Sequence, residues 1–210
     1  MKKDSPIRIL VADDHPVVRE GLVVLLNCQP DMEVIAEAAN GKEAIATFQK
    51  HRPDLAVMDL IMPGMKGPEV IKEICRIFKD ARILILTSYH GQEDIYSALR
   101  AGARGYILKS APTKELLEAV RAVYGGKRFV PPEVAATLAE RIPTSDLTPR
   151  EMDVLRLIVR GMSNKQIADV LSLSEGTVKN HVNLILAKLG VQDRTEACSA
   201  AIQRGIIHLE

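Results

Sequence analysis

No run of 18 or more apolar residues occurs in the chain, which argues against a membrane-spanning helix. The opening stretch MKKDSPIRIL also lacks the long apolar segment of a secretory signal, so a soluble, cytoplasmic protein with no membrane partner is expected. Cysteine is scarce. Cys28, Cys75 and Cys198 are odd in number, far apart and never in a CxxC spacing, which speaks against a disulfide framework and a zinc site. They read as packing residues, the usual habit of free cysteine. An excess of either charge is missing too, with 28 Lys and Arg against 27 Asp and Glu. From Leu147 onward 8 basic residues face 7 acidic ones. Neither part is a polycation, and any binding of nucleic acid has to come from basic groups arranged locally.

What is present is ample apolar material, 47% of 210 residues, enough for one large domain or two small ones. Residues 1–124 alternate short apolar runs with longer amphipathic ones, the pattern of βα units around a parallel sheet. The candidate strands are IRILVAD (7–13), EVIAEA (33–38), LAVMD (55–59), RILILTS (82–88) and GYILK (105–109). Helical segments run between and after them, over 16–27, 41–50, 68–78, 92–101 and 112–124. Pro16 and Pro112 suit a first helical turn, where a missing N–H is harmless. Parallel crossovers are right-handed almost without exception. The fold class is therefore α/β, a doubly wound five-stranded parallel sheet whose site lies beyond the carboxyl ends of the strands.

Residues 125–146 are rich in Gly and Pro and read as a linker with one short amphipathic stretch, Glu133 to Ile142. Residues 147–210 are helical in pattern, giving a second, all-α four-helix domain. Thr148-Pro149-Arg150-Glu151 and Ser163-Asn164-Lys165-Gln166 are capping boxes, each satisfying two helix-terminal N–H groups reciprocally. Gly161 closes the first helix and Gly190 the third, which Ser174 opens; Arg194 to Arg204 supplies a fourth.

The residues that close the predicted strands are Asp13 and Asp14, Asp59, Thr87 and Ser88, and Lys109. Carboxylates crowded on one edge repel unless a cation sits among them, and an all-oxygen, highly charged site suits Mg2+. With the ion in place an aspartate can attack phosphorus, since the ion and a nearby lysine neutralise charge on the transferring oxygens. Asp59, on the middle strand, is the natural nucleophile. Lys109 would pair with the phosphoryl oxygens and the Thr87 hydroxyl would bond to one of them. Taken singly, each residue has a plainer reading: Asp13 and Asp14 as caps of the helix at Pro16, Lys109 as a solvated charge, Tyr106 as core. Their joint placement at strand ends favours a site.

This order of Asp13-Asp14, Asp59, Thr87 and Lys109 resembles the receiver domain of bacterial two-component response regulators, over residues 7–124. The resemblance implies that Asp59 accepts phosphate from a sensor histidine kinase. It implies that Asp13, Asp14, Asp59 and the backbone carbonyl of Ile61 hold Mg2+, Asp14 directly and Asp13 mainly through water. It also makes Tyr106 an aromatic switch that turns inward as Thr87 moves toward the phosphoryl group. One departure is Ser110, where many receivers have a proline after a cis bond. Ile61 and Tyr89 flank the site and bear on water access.

Ser163 to Leu189 reads as helix, turn, helix, with the second helix free to enter a major groove. Val178, Val182, Ile185 and Leu189 share its core face by the 3.6-residue period. Gly176, Lys179, Asn180 and Asn183 lie opposite, a pattern that a plain solvated face would also give. The wording LTPREMDVLRLIVRGMSNKQIADVLSLSEGTVKNHVNLILAKLGVQDRTEA, residues 147–197, is closely similar to the LuxR-type helix-turn-helix. Receiver and output domain together resemble the NarL/FixJ family. That likeness makes Asn164 to Asn183 the motif for double-stranded promoter DNA, with Thr177, Lys179, Asn180 and Asn183 as readers of bases or phosphates. It makes His181 a packed or phosphate-contacting residue, and the helix around Ala197 to Ile202 a dimer contact.

The expected function is a transcriptional regulator, not an enzyme, in which phosphorylation releases the DNA-binding domain and favours a homodimer. A Mg2+-dependent phosphatase with an aspartyl nucleophile is the rival, but such enzymes carry a second aspartate two residues on, where this chain has Ile61. A third reading, an adaptor never phosphorylated, leaves the full residue set unexplained.

Overall fold

The computed structural model describes residues 5–88, 91–139 and 147–208. The chain divides into two compact units, one of residues 1–90 and 95–138 and a helical one of residues 139–210 to which residues 91–94 are also assigned. In the first, β1 (Ile7–Ala12), β2 (Met32–Ala38) and β3 (Leu55–Met58) alternate with α1 (Pro16–Asn27) and α2 (Gly41–His51). A small hairpin, β4 (Ile61–Met62) and β5 (Met65–Lys66), leads into α3 (Gly67–Ile77). Then come β6 (Ile83–Thr87), α4 (Gln92–Ala101), β7 (Gly105–Leu108), α5 (Thr113–Tyr124) and α6 (Pro132–Ala139).

The five main strands form one sheet in the order β2-β1-β3-β6-β7, parallel throughout. This is the expected doubly wound α/β fold. Strand order reverses between β1 and β3, and the crevice at such a reversal, beyond the carboxyl ends, is where these sheets bind ligands. Successive strand side chains point to opposite faces, so each strand feeds two cores. Leu10, Ala12, Ala56, Met58, Ile83 and Ile85 pack with residues of α2, α3 and α4. Ile9, Val11, Leu55, Val57, Leu84 and Leu86 pack with residues of α1 and α5. Strands β1, β3 and β6 are therefore apolar on both sides, which is why they read as continuous hydrophobic runs rather than alternating ones.

Four strands stop one residue before the expected end, leaving Asp13, Asp59, Ser88 and Lys109 just beyond the sheet. Polar groups at those positions leave the ladder where the two apolar layers stop covering it. Pro112, expected inside the first turn of α5, instead precedes it as the N-cap with extended backbone; its missing N–H is as harmless there. Cys28 departs from its reading as a packing residue: it caps the carboxyl end of α1 and is exposed, because it falls past the last inward-facing position, Leu26. Cys75 and Cys198 are half-buried.

Residues after α5 fold back on this unit. Phe129 bridges Gly105 in parallel register, its carbonyl accepts from the Tyr106 N–H at 3.0 Å and its own N–H donates to the Arg104 carbonyl at 3.0 Å. Val134 of α6 joins the buried cluster that contains Tyr106. The stretch expected to be helical from Glu133 to Ile142 is helical to Ala139; residues 140–142 lie outside those described.

The second unit contains α7 (Pro149–Val159), α8 (Asn164–Leu171), α9 (Glu175–Leu189) and α10 (Arg194–Gln203), the expected four helices. Both capping boxes form, with Thr148 and Glu151 on α7 and Ser163 and Gln166 on α8. Gly190 takes the left-handed conformation that ends α9, at φ 66°, a region glycine enters without penalty. Val154, Leu155, Ile158, Ile167, Val178 and Ile185 are the centre of its core.

Candidate functional site

The sheet ladder fixes the acidic pocket. The Asp13 N–H donates to the Ala38 carbonyl at 3.1 Å, that of Asp59 to the Ala12 carbonyl at 2.8 Å, and that of Lys109 to the Thr87 carbonyl at 2.8 Å. Each residue is thus the last one tied to the neighbouring strand, and its side chain projects past the sheet. The Lys109 Nζ lies 2.7 Å from Asp13 Oδ2 and 2.6 Å from Asp59 Oδ2. Asp13 and Asp59 are buried and Lys109 nearly so, with 16% of its side chain exposed. Burial alone would pull the ammonium down; hydrogen bonds to Asp13 and Asp59 outweigh it and hold Lys109 above the ordinary lysine value. In a low-dielectric pocket such a bridge is what allows two carboxylates to stay close.

One ammonium does not satisfy the third carboxylate. Asp14 Oδ1 is buried without a hydrogen-bond partner. It stands 3.0 Å from the His15 Nδ1, which is also 3.4 Å from Asp13 Oδ1. Asp13, Asp14, His15 and Asp59 each bring a ligand atom within 4.8 Å of the others. A buried, unsatisfied carboxylate oxygen in such a group fits a divalent cation, which prefers oxygen ligands. Neither Asp13 nor Asp14 caps α1: its N-cap is His15, which makes no side-chain cap bond, while Asp13 Oδ1 accepts from the His15 N–H at 2.9 Å. Nothing in the sequence marked His15, because a lone histidine before a proline has no diagnostic spacing; its position between an acidic pair and a helix start was the available signal.

The loop after Asp59 is shaped by its glycines. Ile61 pairs with Lys66, and Met62 with Met65. The intervening Pro63-Gly64, with Gly64 at φ 85°, has the proline-then-glycine chemistry of a type II turn. With two residues in each strand, this hairpin is too short to show a period in the sequence. The Ile61 N–H donates to Asp59 Oδ1 at 3.3 Å, so Ile61 is beside the site. A Cβ on Gly67 would come within 2.2 Å of the Leu60 carbonyl oxygen; glycine there lets the chain close tightly behind Asp59.

Thr87 is buried at the end of β6 and Tyr106 is fully buried on β7, where it pairs with Ile85. Ser88 is exposed, and Tyr89 lies outside the described residues. The described residues contain no cis peptide bond, so the Lys109–Ser110 bond is trans.

In the helical unit Val178, Val182, Ile185 and Leu189 are buried, as the period requires. Gly176, Lys179, Asn180 and Asn183 are exposed on α9. Thr177 differs from them: its N–H donates to Ser174 Oγ at 3.1 Å and its hydroxyl is 2.8 Å from the same oxygen, so it is held in the helix cap. His181 is half-buried, with its Nδ1 buried and unpartnered. Ala197, Ala200 and Ala201 of α10 face the core, leaving Thr195, Ser199 and Ile202 exposed. Glu151 is buried and receives both the Thr148 N–H at 2.6 Å and the Lys188 Nζ at 2.8 Å. Burial alone would raise its carboxyl; the hydrogen bonds from Lys188 and Thr148 outweigh it and hold Glu151 below the usual carboxylate range. This tie between α7 and α9 joins residues 37 apart in the chain and has no local sequence signal. No described helix is long and apolar enough to cross a membrane.

Residues 9–121 match the response regulator receiver domain, and residues 145–201 match the luxR family of bacterial regulatory proteins. The chain is 39% identical over 210 residues to the transcriptional regulatory protein LiaR of Bacillus subtilis, covering 96% of this chain and all of the relative. It is 41% identical over 206 residues to the response regulator protein VraR of Staphylococcus aureus, covering 96% and 99%. Among solved structures it is similar to RcsB from Salmonella enterica serovar Typhimurium bound to a promoter in the presence of a phosphomimetic, with TM-score 0.71, 29% identity and coverage of 93% and 98%. A strand-end acidic pocket in one unit and a capped helix-turn-helix in the other, matched along nearly the whole chain, place it in the NarL/FixJ family of two-component response regulators, with a receiver and a LuxR-type DNA-binding domain.

Proposed function

We propose that this response regulator is switched by Mg2+-dependent phosphorylation of Asp59 by a sensor histidine kinase. The observation that carries the reading is the Lys109 bridge to Asp13 and Asp59 beside an unsatisfied Asp14 oxygen. An Asp59 carboxylate oxygen attacks the phosphorus of the kinase phosphohistidine; the new O–P bond forms as the P–N bond breaks and the imidazole leaves with the electron pair. Lys109 turns from the carboxylates to the phosphoryl oxygens, and the buried Thr87 hydroxyl donates to one of them. Asp14, with Asp13, Asp59 and the Ile61 carbonyl, would hold Mg2+, which supplies charge neutralisation at the transferring oxygens. Tyr106, already buried in this structure, would respond to the movement of Thr87.

The phosphorylated receiver would release the helical domain and favour a homodimer through the Thr195, Ser199 and Ile202 face of α10. Lys179, Asn180 and Asn183 would then read promoter DNA, with Thr177 ordering the helix start beside them. The protein acts as a phosphoacceptor, not as an enzyme of turnover. At the position two residues after Asp59, where a phosphatase would carry its general acid, Ile61 brings no acidic side chain. The test is mass spectrometry and operator binding after treatment with acetyl phosphate and Mg2+. One phosphoryl group on the wild type, none on Asp59→Asn and tighter DNA binding by the modified chain are expected. Equal DNA affinity with and without the phosphoryl group, label on another residue, or steady hydrolysis of a phosphomonoester defeats the reading.

A further inference from the structure

We propose that residues 127–138 are a strap docked on the face of the receiver sheet that carries Tyr106, and that phosphorylation of Asp59 undocks it. The strap begins as an added strand at the open edge of β7. The Phe129 N–H donates to the Arg104 carbonyl and the Phe129 carbonyl accepts from the Tyr106 N–H, both at 3.0 Å. Side chains then alternate between faces as strand residues do. Phe129 packs against the cluster built from α1 and α5, and Val130 against the cluster built from α2, α3 and α4. Pro131 and Pro132 bring no N–H to a ladder and end the pairing, and α6 starts at Pro132. Val134 is buried, 2% exposed, in the same cluster as Tyr106, and Leu138 packs against that cluster.

The footing of the strap lies on the path from the phosphoacceptor. Ile85 pairs with Tyr106 and Thr87 with Leu108, so these four residues share one face of the sheet by the two-residue period. Val130, Val134 and Leu138 pack on that same face, where Tyr106 is fully buried. This packing belongs to the arrangement in which Lys109 bridges Asp13 and Asp59. On the reading of Asp59 as phosphoacceptor, on which the strap's release rests, the phosphoryl group takes Lys109 and draws Thr87 toward itself. Tyr106 follows, and the apolar floor under Val134 is lost. Strap and phosphoryl group then favour opposite states, so each weakens the other by the same factor. Undocking returns residues 127–138 to the chain that joins α5 to α7, and the length of that chain sets the reach of the DNA-binding domain.

The experiment follows backbone hydrogen exchange by NMR in the full chain, with Mg2+ and beryllofluoride, a stable phosphoryl mimic, as the probe. The Tyr106 and Phe129 amides are expected to be protected in the wild type and to exchange at least about tenfold faster once the mimic binds, while the amides of β1 stay protected. Val134→Asp puts a charge into the buried footing and should free the same two amides without the mimic. By reciprocity it should also bind beryllofluoride more tightly by that same factor, read by 19F NMR titration. Val134→Ala should give smaller shifts in the same direction, and it replaces Val134→Asp if β1 loses protection there. Tyr106 and Phe129 amides that stay protected with the mimic bound, or an unchanged beryllofluoride affinity in the Val134 variants, overturn the coupling and leave the phosphoacceptor reading standing. A wild type that binds no mimic, or an Asp59→Asn chain that binds it equally well, overturns both.

Discussion

Lys109 is the residue on which the charge balance of the receiver pocket turns. Its two ion pairs, at 2.7 and 2.6 Å, are formed only in the folded chain, and they hold its ammonium above the ordinary lysine value. A cation whose folded value is raised gives stability that is whole below its unfolded value, about 10.4, and lost as pH rises through the higher folded one. Urea unfolding of wild type and Lys109→Gln is expected to show the wild type more stable below that unfolded value, with the gap closing only as pH rises beyond it. A gap that stays constant over that range would dissociate the ion pairs from stability. Asp13, Asp14, Asp59 and Lys109 were legible because each closes an apolar run, and such runs announce strands. His15 and the pairing of Glu151 with Lys188 were not, since a single polar residue in a helix start gives no sign of what the fold will press against it.

At the scale of the element, loop and helix junctions depend on single atoms. An Ala side chain at Gly67 would stand 2.2 Å from the Leu60 oxygen, which is backbone and cannot rotate away. Gly67→Ala is expected to destabilise the receiver by about 1 to 3 kcal/mol, the usual cost of overpacking, measured by chemical denaturation. Because Leu60 follows Asp59, Mg2+ titration should also weaken. In the helical unit Glu151→Gln removes a charge-assisted hydrogen bond and should cost about 1.5 to 3 kcal/mol. The Glu151 carboxyl lies below the usual range, so its contribution is present above its ordinary value, about 4.3, and lost as pH falls through the folded one. Wild type and Glu151→Gln should therefore converge in stability only as pH falls below that ordinary value. The long helices and the capping boxes could be read from the sequence because period and cap are local signals. Strands β4 and β5, of two residues each, are too short to show a period, and the Phe129 bridge lies in a stretch whose Gly and Pro content reads as irregular chain.

At the scale of the whole molecule, charge parity sets what DNA binding can be. With 28 basic and 27 acidic residues the chain has no bulk attraction for phosphate, so affinity has to be built from a few placed groups and from doubling them. Lys179 is exposed on α9, away from the buried face formed by Val178 and Val182, which makes it the clearest candidate for a phosphate contact. Each lost phosphate contact lowers the slope of log affinity against log salt by about 1. For Lys179→Ala the slope is expected to fall by about that amount per protomer, with binding weakened nearly equally on all sequences. A dimer repeats the deficit, so the phosphorylated protein should show about twice the change of a single protomer on a half-site. It should also need half-sites about 10 base pairs apart, one helical turn. Operators with the spacing lengthened by half a turn put the second α9 on the wrong side of the duplex, and their affinity should drop to that of one half-site. An unchanged salt slope in Lys179→Ala would remove the phosphate contact; affinity indifferent to spacing would remove the dimer.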